Sequence, residues 1–311
     1  MKIWVRVTDD DSFEYLRARR PDEMNFWQPG GQRGFGSPGP DELFLFKLHS
    51  PRNIIVGGGF FVRYSALPCS LAWEAFGEKN GVRSYAELLA RVHKYRAHHG
   101  AADRREPDPT IGCNVLTQPF FLPDSSWLPV PRDWSPHTVQ GKAYDLAAED
   151  GKALWNAIQD RAMMLGIWNP EDVDYDTVRR EPRYLVRGRF GQGAFRVLVT
   201  DAYQRRCAIT GERTLPVLEA AHIRPYADQG PNVAGNGLLL RADLHKLFDA
   251  GYVTVTPLYR IEVSRRIREE YENGHEYYAY HGQPLQILPE SADSRPARQF
   301  LEWHNEHRFV T

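Results

Sequence analysis

The residues best able to do chemistry lie in one window, Cys207 to Gly251, which reads CAITGERTLPVLEAAHIRPYADQGPNVAGNGLLLRADLHKLFDAG. The order His222, Asn236, His245 within it is that of a hydrolytic metal site. A histidine near its ordinary pKa can take a proton from water as a general base. Imidazole and carboxylate ligands suit several divalent metals, and a hard cation such as Mg²⁺ keeps part of its water shell while stabilising charge on a phosphate and its leaving oxygen. His245 and Asp249 stand at i and i+4, the spacing of one helix face. A lone histidine is more often a satisfied core residue, and a lone Asn-Gly is usually only a turn. Their joint order and spacing point to a nuclease.

Such side chains need a strand, a loop and a helix to bring them together. The apolar run Val217-Leu218 and Ala220-Ala221 predicts a strand ending at His222, and Arg224-Pro225, Asp228, Gly230-Pro231 and Asn232 predict a polar loop. Asn236-Gly237 reads as a tight turn into a second strand, Leu238-Leu239-Leu240. Arg241 to Ala250 reads as a short helix with Leu244, Leu247 and Phe248 on its apolar face and Gly251 placed to end it. Cys207 has no cysteine near it in sequence and is read as a small hydrophobe under the ribbon.

Residues from about 188 to 309 resemble an HNH endonuclease of the ββα-metal type. Five ordered segments carry the resemblance: RFGQGAFR at Arg189–Arg196, CAITG at Cys207–Gly211, AHIRP at Ala221–Pro225, NGLLL at Asn236–Leu240 and LHKLFD at Leu244–Asp249. The resemblance implies that His222 is the general base and that Asn236 fixes the loop and orients it. It also makes His245 a metal ligand, with Asp249 as the second ligand from the helix. Many members carry Asp or His immediately before the base, where this chain has Ala221, which leaves the remaining coordination to Asp249, water, phosphate or Glu219. A divalent cation, Mg²⁺ or Mn²⁺, is implied. The two CxxC pairs of many members are missing, so structural zinc is not expected.

The chain has 311 residues, 42% of them hydrophobic, enough for two cores of ordinary size. No run approaches the ~18 apolar residues of a membrane span, the first residues carry no leader pattern, and three scattered cysteines fit a reducing compartment; a cytoplasmic protein with no membrane partner is expected. A net charge of −1 taken alone argues against a nucleic-acid partner, but its distribution does not. Between Arg179 and Arg213 stand nine arginines against Glu181, Asp201 and Glu212. About half of these would lie on a solvated helix face, opposite the apolar stripe Phe195, Leu198, Val199 and Ala202. The others, with Arg189, Arg196, Arg205 and Arg206 foremost, are placed to grip DNA phosphates.

In the N-terminal part, residues 3–8, 43–48 and 54–64 read as strands, the last broken by Gly57-Gly58-Gly59, and 111–116 as another. The stretch NFWQPGGQRGFGSPGPDE reads as a long loop carrying aromatics, Tyr85 to His98 as a helix, and 117–137 as irregular chain. A further helix is expected from Glu149 to Leu165, with Leu154, Ile158, Ala162 and Leu165 on one face, before an acidic linker near 169–178. Trp27 with the segments PGPDELFLFK at Pro38–Lys47 and IIVGGGFF at Ile54–Phe61 resembles the PUA superfamily and its EVE-like and SRA-like readers of modified bases. The fold class expected is therefore α+β: a PUA-like β-barrel with helices over 1–140, a helical linker over 141–178, and a ββα-metal nuclease domain over 179–311. Such a barrel holds an extruded base among aromatic and polar groups. Trp27 is the leading pocket residue, with Asn25, Phe35, Phe60 and Tyr64 behind it, although any one of these aromatics taken alone is more often core than pocket wall.

A base reader joined to a phosphodiesterase reads as a modification-dependent restriction endonuclease, cutting double-stranded DNA that carries 5-methylcytosine or 5-hydroxymethylcytosine. The alternatives are an HNH nuclease specific for an unmodified sequence or an RNA structure, and a nucleic-acid reader on an inactive HNH scaffold. Double-strand cutting by a one-site nuclease leaves a two-fold homodimer open.

Overall fold

The computed structural model describes residues 2–31, 38–98, 106–135, 137–138, 140–168 and 190–311. The chain forms two compact units, Met1–Gly188 and Arg189–Thr311.

The first unit is built on β1 (Lys2–Thr8), α1 (Asp10–Arg19), β2 (Glu23–Gln28), β3 (Leu43–Leu48), β4 (Ile54–Pro68), α2 (Cys69–Phe76), α3 (Tyr85–His98), β5 (Thr110–Phe121), β6 (Leu128–Pro129), β7 (Gly141–Asp145) and α4 (Glu149–Met164). Its strands pair in the order β2-β5-β4-β3-β1-β7, with β6 alongside β4. The path is open at β2 and β7, so the expected closed barrel is corrected to an open mixed sheet. The pleat assigns its two faces. Ile3, Val5, Leu43 and Leu45 pack with Leu154, Trp155, Ile158 and Ala162 of α4, whereas Trp4, Phe44 and Phe46 pack with Phe13 and Leu16 of α1. Leu165, expected on the buried stripe of α4, follows the helix and is 38% exposed. The register of β4 slips against β5 between Gly58 and Phe60, within the triple glycine. Residues 25–28, read as loop, belong to β2, and β5 runs to Phe121 through residues read as irregular.

The second unit contains α5 (Gln192–Ala202), the ribbon β8 (Leu218–His222) and β9 (Gly237–Arg241), α6 (Ala242–Asp249), the hairpin β10 (Val253–Val255) and β11 (Ile261–Val263), α7 (Arg266–Tyr271), α8 (His275–Tyr278) and α9 (Arg298–His307). Ribbon, α5, α6 and α9 share one core that includes Phe195, Val199, Leu239, Leu244, Phe248 and Leu301. Fully burying a side chain such as Phe195 or Phe248 contributes about 1.5–3 kcal/mol. Gly251 follows α6 at φ +79°, the left-handed conformation that closes a helix, and a Cβ there would meet the Arg308 carbonyl at 2.0 Å. Among the described residues no helix is long and apolar enough to cross a membrane.

Candidate active site

The ribbon and α6 deliver the three motif residues. His222 pairs with Gly237 at the loop end of the β8–β9 ladder, and α6 follows β9 without a break. Asn236 ends a short 3₁₀ turn over Ala234–Asn236 and Gly237 is already extended at φ −128°, so the turn expected at Asn236-Gly237 lies just ahead of the dipeptide and Gly237 opens the strand. Glycine is required at 237 for proximity instead: a Cβ would lie 2.3 Å from Val199 Cγ2 and 3.1 Å from the Phe195 ring.

Phe195 is also the platform for His222. The two rings stack with centroids 3.8 Å apart and planes 12° from parallel. His222 Nε2 lies 2.8 Å from Asn232 Oδ1, and Asn232 Nδ2 donates to the Phe190 carbonyl at 2.6 Å. The second bond fixes the direction of the amide, so Oδ1 accepts and Nε2 carries the proton of the neutral ring. The lone pair is left on Nδ1. Burial holds the His222 pKa below the ordinary histidine value, with the Asn232 contact and the Asp249 charge opposing that shift. The imidazole is therefore neutral, oriented and basic at physiological pH, as general-base work requires.

Asn236 is fully buried and makes a two-way clamp across the loop. Its Oδ1 accepts from Arg224 N at 2.9 Å, and its Nδ2 donates to the carbonyls of Arg224 at 2.9 Å and Pro231 at 3.0 Å. Its own carbonyl accepts from Ile223 N at 2.9 Å. The side chain touches backbone on both sides of the loop and no atom of His222; it is Asn232 that contacts the base.

His245 sits between two carboxylates. Its Nδ1 lies 2.6 Å from Glu219 Oε2 and its Nε2 3.3 Å from Asp249 Oδ2. A proton on Nδ1 satisfies Glu219 and aims the Nε2 lone pair at Asp249, where two electron-rich atoms face each other unless a proton or cation lies between them. The arrangement thus fits a divalent cation with His245 Nε2 and Asp249 as ligands and Glu219 as the outer carboxylate that sets the tautomer. Among the described residues no cluster of three His, Cys, Asp or Glu side chains could hold a metal; a cation at this pair would draw further ligands from water and phosphate. Ala221 is completely buried in the core, where a polar ligand would face apolar packing.

His222, His245 and Asp249 share one cleft of about 400 Å³, lined also by Ala220, Ile223, Pro225, Tyr226, His304 and Arg308. Residues 207–256 match the family model of the HNH endonuclease. They form an HNH endonuclease domain. It assigns the chain to the nucleases, phosphodiester hydrolases that generally use divalent cations. The HNH domain's Cys207 is buried, its Sγ accepting from Thr210 N and Arg241 N at 3.4 Å. No curated protein gives a match to the chain. Among solved structures, the modification dependent TagI restriction endonuclease is similar at 14% identity over 92% of this chain and 75% of that one, with a TM-score of 0.29.

The other expected site residues are more dispersed. Arg189 and Phe35 lie outside the described residues, as do the arginines at 179, 180, 183 and 187 and the linker at 169–178. Arg196 lies half-buried on α5, and Arg205 and Arg206 half-buried just beyond it; none of the three lines the cleft. In the first unit, Asn25 is buried and Trp27 half-buried on β2, the indole Nε1–H donating to the Asn80 carbonyl at 3.0 Å and the ring meeting Tyr95 edge-on. Asn25 Nδ2 donates to Asn80 Oδ1 at 2.9 Å, while its Oδ1 has no hydrogen-bond partner among the described residues. Tyr64 donates to the Gly31 carbonyl at 3.0 Å. Phe60 is completely buried beside Trp168 and is core rather than pocket wall. Asn232, Phe195 and Arg308 were not singled out as site residues from sequence, and Glu219 was named only as one source of the remaining metal coordination. For Asn232 the only signal was its place in a polar loop; Arg308 lies 59 positions beyond Asp249 with no motif around it.

Proposed function

We propose that the protein is a metal-dependent endonuclease of double-stranded DNA, directed by its first unit to DNA carrying 5-methylcytosine or 5-hydroxymethylcytosine. The observation that carries the nuclease reading is the convergence of an oriented neutral imidazole, His222, and the His245–Asp249 pair on one cleft. A divalent cation held by His245 Nε2 and Asp249 would neutralise charge on the phosphodiester and its leaving oxygen. His222 Nδ1 takes the proton of the attacking water, Asn232 holds the ring in the tautomer that can do so, and the Asn236 clamp fixes the loop that carries Asn232. An intact base and ligand pair favour this over an inactive scaffold.

The selectivity reading rests on β2. Asn25 and Trp27 stand two residues apart and so share a strand face, one presenting an unpartnered buried carbonyl oxygen and the other a large aromatic surface. An acceptor and a stacking plane are what an extruded cytosine needs, its exocyclic amine donating to the first. Cleavage of plasmids that differ only in cytosine modification tests the reading. Preferential cutting of one modified form, lost in Trp27→Ala by about ten- to hundred-fold because stacking on one base is worth ~1–3 kcal/mol, is the expected result. Equal cutting of all plasmids would leave a nuclease of unmodified DNA.

A further inference from the structure

The cleft wall formed by α9 contains a cation that the matched family residues do not include. Arg308 lies 52 positions beyond the end of the match at residue 256 and lines the same cleft as His222, His245 and Asp249. Its position is fixed by three independent constraints. Phe300 and Leu301 anchor α9 in the core. His304, almost fully buried, stacks on Phe248 of α6 with ring centroids 3.8 Å apart and contacts Thr254 Oγ1 at 2.8 Å and the Phe248 carbonyl at 3.1 Å. The bare Cα of Gly251, just after the helix that carries His245 and Asp249, makes room for the Arg308 carbonyl, and Val310 N donates to the Gly251 carbonyl at 3.0 Å. The chain end is thereby tied to the helix that bears the ligand pair.

The side chain is positioned as well. The guanidinium lies 6.0 Å from the centre of the Trp303 ring, and Nη2 donates to Asp228 Oδ2 at 2.8 Å. That single-nitrogen bond leaves its other N–H groups uncommitted among the described residues, and 43% of the side chain is exposed at the cleft. Asp249 lines the same cleft and Glu219 pairs with His245, so this part of the site carries negative charge, which repels a phosphodiester unless a positive group compensates. Guanidinium suits that task because its planar fork pairs with two oxygens of one phosphate.

We propose that Arg308 is a phosphate ligand of the HNH cleft, gripping the phosphodiester attacked by the water that His222 deprotonates, with Asp228 and Trp303 holding the guanidinium ready. The inference deepens the nuclease reading and rests on it for the identity of the phosphate. Its test uses the full chain, a labelled unmodified duplex, and the variants Arg308→Met and Arg308→Lys, with a melting curve for each. Binding is followed by anisotropy in chelator across a salt series, and cleavage at saturating duplex in Mn²⁺. Arg308→Met is expected to reduce the slope of log K against log salt by about one, as loss of one phosphate contact does. Its kcat should fall by about 10²–10³-fold, the effect of removing one donor from developing charge. Arg308→Lys should restore the slope and only part of kcat, since it supplies a point charge without the fork. An unchanged slope in folded Arg308→Met would overturn the proposal, and so would a kcat within two-fold of the wild type. A wild type that cuts nothing yet loses the same slope in Arg308→Met would sink the nuclease reading and uphold the phosphate contact.

Discussion

Replacing Asn232 isolates the device that prepares His222. In Asn232→Ala the Phe195 stack remains, at 3.8 Å, so the ring keeps its plane, but the acceptor that fixes the proton on Nε2 is gone. Loss of an orienting outer partner typically costs 10–100-fold, whereas loss of the base itself costs up to ~10⁴-fold. The expected fall in kcat is therefore about 10–100-fold, or roughly 1.4–2.8 kcal/mol of transition-state stabilisation, with little change in DNA affinity. Asn232→Asp separates orientation from charge. It keeps an acceptor at Nε2 but adds a carboxylate, which favours the imidazolium and raises the His222 pKa against the burial that lowers it in the wild type. The acidic limb of the kcat profile reports the base, so wild type should stay active below pH ~6.5, and the limb should move to higher pH in Asn232→Asp. Single-turnover cleavage from pH 5 to 9 with saturating enzyme gives both quantities. An Asn232→Ala enzyme within two-fold of wild type, or an Asn232→Asp limb that moves to lower pH, would refute the reasoning.

Asn236→Ala should destabilise the second unit by about 2–4 kcal/mol, since it strands Arg224 N and the carbonyls of Arg224 and Pro231; chemical denaturation measures this, and a loss under 1 kcal/mol would contradict the clamp. His304 has its pKa pushed down from 6.5 to about 4 by burial, so the unfolded chain binds the proton first: stability is fully present above pH ~6.5 and lost as pH falls toward 4. That loss is at most about 3 kcal/mol by linkage, and His304→Gln should flatten the dependence of the second unit's Tm over this window; a variant with the wild-type slope would exclude His304 as its source.

What was legible in the sequence follows from the range of the interactions involved. His222, Asn236, His245 and Asp249 are local to one ribbon and helix, and their chemistry is uncommon enough to mark them. Asn232 escaped because a loop asparagine next to proline looks like turn chemistry, and only the folded loop shows its amide at the Nε2 edge of the His222 ring. Glu219, considered as a metal ligand, proves to contact His245 Nδ1, a distinction that depends on rotamer rather than spacing. Arg308 depends on α9 docking against α6, a long-range contact with no periodic signature. In the first unit β1 and β3 were readable as strands, yet their parallel pairing, and the β2–β5 pairing across 81 intervening residues, were not. The open sheet in place of a barrel is a consequence of those pairings.

The central claim is that His222 is the base and His245 with Asp249 the cation site of a working nuclease. The most direct measurement is cleavage of a supercoiled plasmid carrying modified cytosine by wild type and His222→Ala, each with Mn²⁺ and with excess chelator. The account predicts cutting by the wild type with Mn²⁺, none in chelator, and a loss of about 10²–10⁴-fold in folded His222→Ala with DNA binding retained. Full activity of the wild type in chelator, or of His222→Ala with Mn²⁺, would contradict it.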